Sequence, residues 1–220
     1  QIRFMDHYLK GIDNGIDKEA PVYLYVMNEG WRAENEWPIK RQNITSYYLK
    51  EGNSLSKTPG ASGVDTYEVD YAHSSSYGKK GKNRWLMYTS SPKKIMYRDE
   101  MDEKSYLYET DGLEKDTEVT GHPVVELYVS ANVKDADVFV YLCDVDEKGK
   151  SQYVTEGQLR AGWHKEYDDD EQIDYKYEVK PDLPWHGYKK AQYDRYPFRD
   201  EKVLKMRFDM LPTSWVFKKG

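Results

Sequence analysis

One cysteine, Cys143, stands in 220 residues. That excludes an internal disulfide and any zinc site built from cysteines. Cys143 lies in the strand-like run Val138–Cys143 and reads as a packed thiol. No apolar run approaches the roughly 18 residues of a membrane helix, so no membrane partner is expected. Histidine is scarce: His7, His73, His122, His164 and His186 show no metal-ligand spacing, and neither metal nor cofactor is expected. Basic residues do not exceed acidic ones (33 against 39, net −6), which argues against a nucleic-acid partner. The basic run Lys79–Arg84 lacks Walker spacing and reads as a solvated loop.

Other catalytic and ligand motifs are incomplete. The nearest string to a nucleophile elbow, Gly60-Ala61-Ser62-Gly63-Val64, lacks its final glycine and sits in a polar loop. Ser74, Ser75 and Ser76 read as a turn. A calcium loop beginning at Asp144 would need an oxygen ligand where Lys148 stands and a glutamate where Thr155 stands, so this stretch reads as a hairpin. The acidic run Asp168–Glu171 reads as a solvated loop, and the sequon Asn43-Ile44-Thr45 is a triplet frequent by chance.

What the chain has in quantity is tyrosine: 21 of them, within 15% aromatics. Tyrosine buries a large ring while keeping its tip wet, and aromatics favour strands. Strands are expected over 21–27, 44–49, 65–71, 84–89, 105–109, 118–120, 123–129, 137–145, 153–163, 202–211 and 212–217. Gly157 and Gly162 within one of them mark a bulge or a close backbone approach. Trp31 and Trp37 fall in a charged loop closed by Pro38, and 164–200 forms a long excursion without periodicity. His122 reads as a loop residue, and His186 as one able to line a pocket. Many short strands with turn signals imply an antiparallel β-sandwich, for which a jelly roll is one solution.

Residues 2–9 carry apolar groups at offsets of three and four, which places them on one helix face with Gly11 as C-cap. Burying three of those groups would contribute about 5–9 kcal/mol, so the helix is expected to dock on something, such as a domain upstream. The run Trp215-Val216-Phe217 passes into Lys218-Lys219-Gly220 with no strand after it. The sequence therefore reads as a segment of a longer protein whose last strand pair is left with an open edge.

Several strings in order carry a resemblance: Phe4-x-Asp6-His-Tyr-Leu-Lys-Gly-Ile-Asp-Asn-Gly15; Pro21–Met27 leading to Trp31-Arg-x-Glu-x-Glu-Trp-Pro38; Tyr88-Thr-Ser-x-Pro92; Thr117–Ser130; Ala136–Val145; Leu183-Pro-Trp-His-Gly-Tyr188; and Phe208–Phe217. Together they resemble the CocE/NonD serine hydrolases, a family of esterases, X-Pro dipeptidyl-peptidases and acylases. The resemblance implies a mostly β, galactose-binding-like jelly roll over 16–220, truncated before its last strands. Residues 1–15 would be the terminal helix and linker of an upstream α/β-hydrolase domain. It also implies that Ser, Asp and His of the catalytic triad lie upstream, that His7 is not the catalytic histidine, and that this chain holds no catalytic residue.

On this reading the partners are the chain's own catalytic domain and, in the intact enzyme, a small ester, amide or peptide substrate; self-association is an open alternative. The residues expected at a cleft or interface are Trp31, Trp37, Trp185, His186 and Tyr188. A competing reading is a carbohydrate-binding β-sandwich that stacks sugars on Trp31, Trp37, Trp163 or Trp185. A third is a scaffold that associates through its open edge. The chain by itself is expected to hydrolyse no p-nitrophenyl ester above a heat-killed control; turnover blocked by a serine-directed phosphonate would overturn that.

Overall fold

The computed structural model describes residues 1–72, 98–167, 183–187 and 189–220. The strand expected at 84–89, the basic run 79–84, His73, Ser74–Ser76, the acidic run 168–171 and Tyr188 lie outside the described residues.

The architecture is mostly β, with antiparallel pairs forming a sandwich. Helix α1 (Ile2–Lys10) is followed by the hairpin β1 (Val22–Val26) and β2 (Gly30–Glu34), then by a small hairpin of β3 (Tyr48–Lys50) and β4 (Ser54–Ser56). After the one-turn helix α2 (Asp99–Asp102) come β5 (Thr117–Gly121), β6 (Val124–Val129), β7 (Asp137–Val145), β8 (Ser151–Arg160), β9 (Leu204–Asp209) and β10 (Thr213–Phe217). Strand β5 pairs with β10, β6 with β9 and β7 with β8.

The core follows from period-two alternation. Strand β9 buries Leu204, Met206 and Phe208 and turns Lys205 and Arg207 outward. Its partner β6 sets Val129, Leu127 and Val125 opposite those three. Leu159 of β8, Val138 and Val140 of β7, Ala161 and Phe198 complete the cluster, so two sheets share one core. A bulge at Leu142/Cys143 leaves Val154 without an opposite residue. Helix α2 is held against β7 and β8 by Arg98. This buried arginine donates its backbone N–H to the Ser151 carbonyl, lays its guanidinium 3.6 Å from the Tyr141 ring centre, and bonds Asp102 through Nε at 3.1 Å.

The glycine expectation holds at both positions. A Cβ on Gly157 would sit 2.8 Å from the Asp209 carbonyl oxygen, where β8 passes the chain leaving β9. Leu211 N–H donates to the Glu156 carbonyl, and the Thr155 hydroxyl donates to the Leu211 carbonyl at 2.7 Å. A Cβ on Gly162 would lie 2.2 Å from the Tyr193 ring, which packs on Trp163 with ring centres 4.8 Å apart.

Several expectations are corrected. Trp31 is on strand β2 rather than in a loop, because Tyr25 and Trp31 pair directly across the hairpin. Of the expected 44–49 only 48–49 is strand; β3 runs on to Lys50 and pairs with 54–56, turning through Gly52 and Asn53 at positive φ. Residues 65–71 and 105–109 form no strands. They are tied by hydroxyl bonds from Tyr106 and Tyr108 to the Asp65 carboxylate, leaving one isolated bridge between Glu109 and Ser54. Strand β8 stops at Arg160, and 161–163 make a 3-10 turn.

The open edge at Trp215–Phe217 is also corrected. Strand β10 pairs with β5 on one side. On the other, Met27 N–H donates to the Ser214 carbonyl at 2.9 Å and Val216 N–H to the Met27 carbonyl at 3.1 Å. The Trp215 ring is buried and donates its indole N–H to Asp144 at 2.8 Å. The helix expectation holds in form: α1 ends at Gly11 in the left-handed conformation, capping the Asp6 and His7 carbonyls. None of its residues is buried.

Substituting Gly157 by alanine forces backbone apart and is expected to destabilise by about 1–3 kcal/mol in urea unfolding. Gly63→Ala, with open space around it, is expected to stay within about 0.5 kcal/mol. Equal stabilities would remove the close approach from the account.

Candidate functional site

The β1–β2 hairpin divides its side chains cleanly. Val22, Leu24, Val26, Arg32 and Glu34 turn inward; Tyr23, Tyr25 and Trp31 turn outward. The outward three form one cluster. Trp31 stacks on Tyr23 with centres 5.6 Å apart at 21°, and meets Tyr25 edge-on at 5.4 Å and 74°. All three stay largely in water, with exposures of 68% for Tyr23, 50% for Tyr25 and 67% for Trp31. Exposed aromatic clusters of this kind are common at contact surfaces.

The inward face is ionic as well as apolar. Arg32 grips Glu118 of β5 through both terminal nitrogens, at 2.8 and 2.5 Å, and its Nε lies 2.7 Å from Glu34. Arg41 grips the buried Glu34 through both carboxylate oxygens. Thr120 donates to Glu118 at 2.6 Å and shares a 2.8 Å hydroxyl contact with Ser214 of β10. The hairpin is thereby fastened to the β5–β10 pair. The Arg32 bonds hold the Glu118 carboxyl down at about 2, from an ordinary 4.5, against the opposing effect of burial. Glu34 is likewise lowered, first by Arg41, and both guanidinium groups are raised by their carboxylates.

Of the other expected residues, Trp37 is partly exposed, in the loop between β2 and the buried Ile39. Trp185 and His186 lie on 183–187. This segment is held to residues 165–167 by a Tyr167 N–H bond to the Trp185 carbonyl and by an isolated bridge between Glu166 and His186. The His186 ring contacts two carbonyls, Arg207 at 2.9 Å and Lys165 at 3.3 Å. It therefore pins a segment to β9. Trp31 and the Trp185–His186 pair occupy separate elements, and no ring contact joins them among the described residues. Trp163 packs against the core and on Tyr193, so it offers no free sugar platform.

The residues missed in the sequence are Tyr23, Tyr25, Arg32, Glu34, Arg41 and Glu118. Alternation through 22–26 and again through 30–34 was the available signal.

The chemistry expected of a hydrolase centre is not assembled among the described residues. Ring contacts of the described histidines go to the carbonyls of Ile12, Ala161, Lys165 and Arg207, and from His122 to the Asp209 carboxylate at 3.2 Å. None of them is to a serine or threonine hydroxyl. Ser62 lies in an exposed segment without secondary structure. Burial pushes the Cys143 thiol up, away from thiolate reactivity. No group of three His, Cys, Asp or Glu among the described residues is placed to hold a metal, and no described helix is long and apolar enough to cross a membrane.

Comparison with known proteins supplies the context. Residues 14–220 match the X-Pro dipeptidyl-peptidase C-terminal non-catalytic domain. The chain belongs to this family. Over its whole length it is 34% identical to a Mycobacterium tuberculosis protein named for a serine esterase, and over 99% of its length 28% identical to cocaine esterase from Rhodococcus. It spans about a third of each: 34% of the first and 35% of the second. Two solved structures share the fold. One is a CocE/NonD family hydrolase from Staphylococcus aureus, with TM-score 0.63 and 19% identity, covering all of this chain and 35% of the hydrolase. The other is an aminopeptidase from a marine-sediment Thaumarchaeota archaeon, with TM-score 0.67 and 22% identity, covering 99% of this chain and 34% of the other. The hairpin anchor described above lies within the residues that match this non-catalytic domain.

Because Glu118 titrates lower in the folded protein than in the unfolded one, its contribution is present above about pH 4.5 and is lost as pH falls towards 2. Glu118→Gln is expected to cost about 1–2 kcal/mol at pH 7, after allowance for solvent screening. The gap from the unmodified protein should close between pH 4.5 and 2.5 in denaturant titrations. A gap that does not change with pH would contradict the anchor.

Proposed function

We propose that this domain serves a serine hydrolase acting on ester or amide bonds, of the X-Pro dipeptidyl-peptidase or acylase type, by packing on the upstream catalytic domain and shaping its substrate cleft. The observation that carries the reading is two uncovered apolar surfaces on a domain one third the length of its relatives. One is the Tyr23–Tyr25–Trp31 face. The other is the helix α1 face, where Ile2, Phe4, Met5, Tyr8 and Leu9 are all exposed. Residues 1–15 then belong to the catalytic domain as its terminal helix and linker, with the sandwich over 16–220.

The linker is shaped for that task. Asn14 donates to the Arg3 carbonyl at 2.7 Å, Arg3 donates back to the Asn14 carbonyl at 3.1 Å, and Arg3 pairs with Glu19 at 2.7 Å. Helix and sandwich are thus joined by a folded connection rather than a loose tether. Catalysis on this reading uses a serine activated by histidine upstream, through an acyl-enzyme. Trp37, Trp185, His186 and Tyr188 are the further residues assigned to the cleft or interface.

The test uses the full-length enzyme. In the isolated chain, Tyr25→Ala with Trp31→Ala is expected to shift unfolding by under about 1 kcal/mol, since both rings are exposed. In the full-length protein the same pair is expected to lower the unfolding temperature, speed proteolysis at the domain junction and reduce kcat/KM several-fold towards an ester or X-Pro amide substrate. Full-length protein unaffected in both stability and kinetics would sink the reading.

A further inference from the structure

The His186 ring is the meeting point of three pieces of backbone. It belongs to 183–187. Its Nε2 lies 2.9 Å from the carbonyl oxygen of Arg207 on β9, and its Nδ1 lies 3.3 Å from that of Lys165. The main chain follows the ring: Tyr167 N–H donates to the Trp185 carbonyl at 3.0 Å, and Glu166 and His186 form an isolated antiparallel bridge. The other described histidines, His7, His122 and His164, each place one ring nitrogen in a hydrogen-bond contact.

A carbonyl oxygen only accepts. A neutral imidazole has one N–H and one lone pair, so it satisfies one of the two carbonyls and turns a lone pair on the other. The 3.3 Å gap to Lys165 leaves no room for a water between them. Only the imidazolium donates to both, and bonds from a charged donor are stronger than neutral ones. The charged groups on the surrounding elements largely cancel. Arg207 pairs with Glu166 at 2.9 Å, and Lys205 pairs with Glu126 at 3.0 Å. Lys165 has no carboxylate partner among the described residues and works against a second positive charge, but its ammonium is placed over the Tyr167 ring, 4.5 Å from the centre.

We propose that His186 is a proton-operated staple. With two ring protons it ties the segment carrying Trp185 to β9 and to residues 165–167 together; with one it holds a single side. The stapled arrangement takes up a proton that the loosened one does not. It is therefore favoured as pH falls, and it is lost as pH rises through the ordinary imidazole range, about 6.5. The ring is half-buried, so the effect is local opening of this segment rather than unfolding of the sandwich. The staple acts whatever covers Trp185 and does not depend on the assignment of that residue to a cleft or interface.

The experiment records the imidazole nitrogen resonances of His186 and the hydrogen exchange of the Tyr167 amide in the whole chain. The window runs from about pH 5.5 to about pH 8, where carboxylates, lysines and arginines ordinarily keep their charge. At the low end both ring nitrogens are expected to be protonated. Tyr167 protection there, corrected for the intrinsic exchange rate, is expected to exceed that at the high end by about fivefold or more. In His186→Gln, whose amide does not titrate, protection is expected to be the same at both ends. His122→Gln, which removes the histidine bonded to Asp209 at the end of β9, is expected to keep the full pH dependence. A His186 ring with a single proton while Tyr167 is most protected, protection that does not follow pH, or a dependence that survives His186→Gln would each overturn the proposal. The first two are read on the unmodified protein, so they decide the matter even where a variant fails to fold.

Discussion

Arg32 decides which way the hairpin faces. Its guanidinium holds Glu118 on another strand pair and touches Glu34, which Arg41 closes from outside. Such ion pairs add little net stability, because desolvation opposes the attraction, but a mispaired one is expensive. Their effect here is on register. A slip of one residue in β2 would turn Arg32 and Glu34 to solvent and bring Trp31 and Ala33 inward. The aromatic face is outward because the charged face is held inward. The Arg-x-Glu spacing in Trp31-Arg-x-Glu-x-Glu-Trp-Pro38 is a statement about pairing as much as about chemistry.

The same hairpin covers the second side of β10 at its centre. Met27, in its turn, is hydrogen-bonded through both its N–H and its carbonyl to the β10 backbone, and Asn28 at positive φ donates its side-chain amide N–H to the Val216 carbonyl at 3.0 Å. With β5 on the other side, β10 is flanked on both sides at its centre. The buried Trp215 then reaches Asp144 of β7, which links the β5–β10 pair to the β7–β8 pair. Hairpin orientation, the covered strand and the inter-sheet link are therefore one connected arrangement.

Much of this was legible where burial is one-sided. Strands β1, β6, β7 and β9 alternate visibly, and helix α1 with its Gly11 cap follows from spacing alone. The close-approach reading of Gly157 needed only the oddity of glycine within a strand; Gly162 shares the close approach but lies on the 3-10 turn after β8. Pattern failed where side chains, not ladders, hold the chain. Residues 65–71 and 105–109 have strand composition, yet Asp65 takes hydroxyl bonds from Tyr106 and Tyr108, and that pairing replaces a sheet. It failed again at β10, because its neighbour Met27 lies nearly 190 residues earlier, beyond any local signal. Within the candidate site Trp31 was legible as a residue type. Tyr23 and Tyr25 were read only as strand filler, and Glu118 could not be linked to Arg32 without the fold.

The helix bears most directly on what covers these surfaces. Nine residues are too few to be stably helical in water on propensity alone, since nucleation is costly. The local supports of α1 are the Gly11 cap, the Lys10–Asp6 pair at 2.6 Å and the Arg3–Glu19 pair. Each pair is exposed and contributes only a few tenths of a kcal/mol. The apolar stripe is the larger resource, and within this chain it is left in water. A short helix with a regular stripe and no buried residue leaves its largest source of stability unused among the described residues. The stacked Trp31 cluster, outward by the Arg32 constraint, is a second surface in the same condition, which is why both are assigned to packing on one partner.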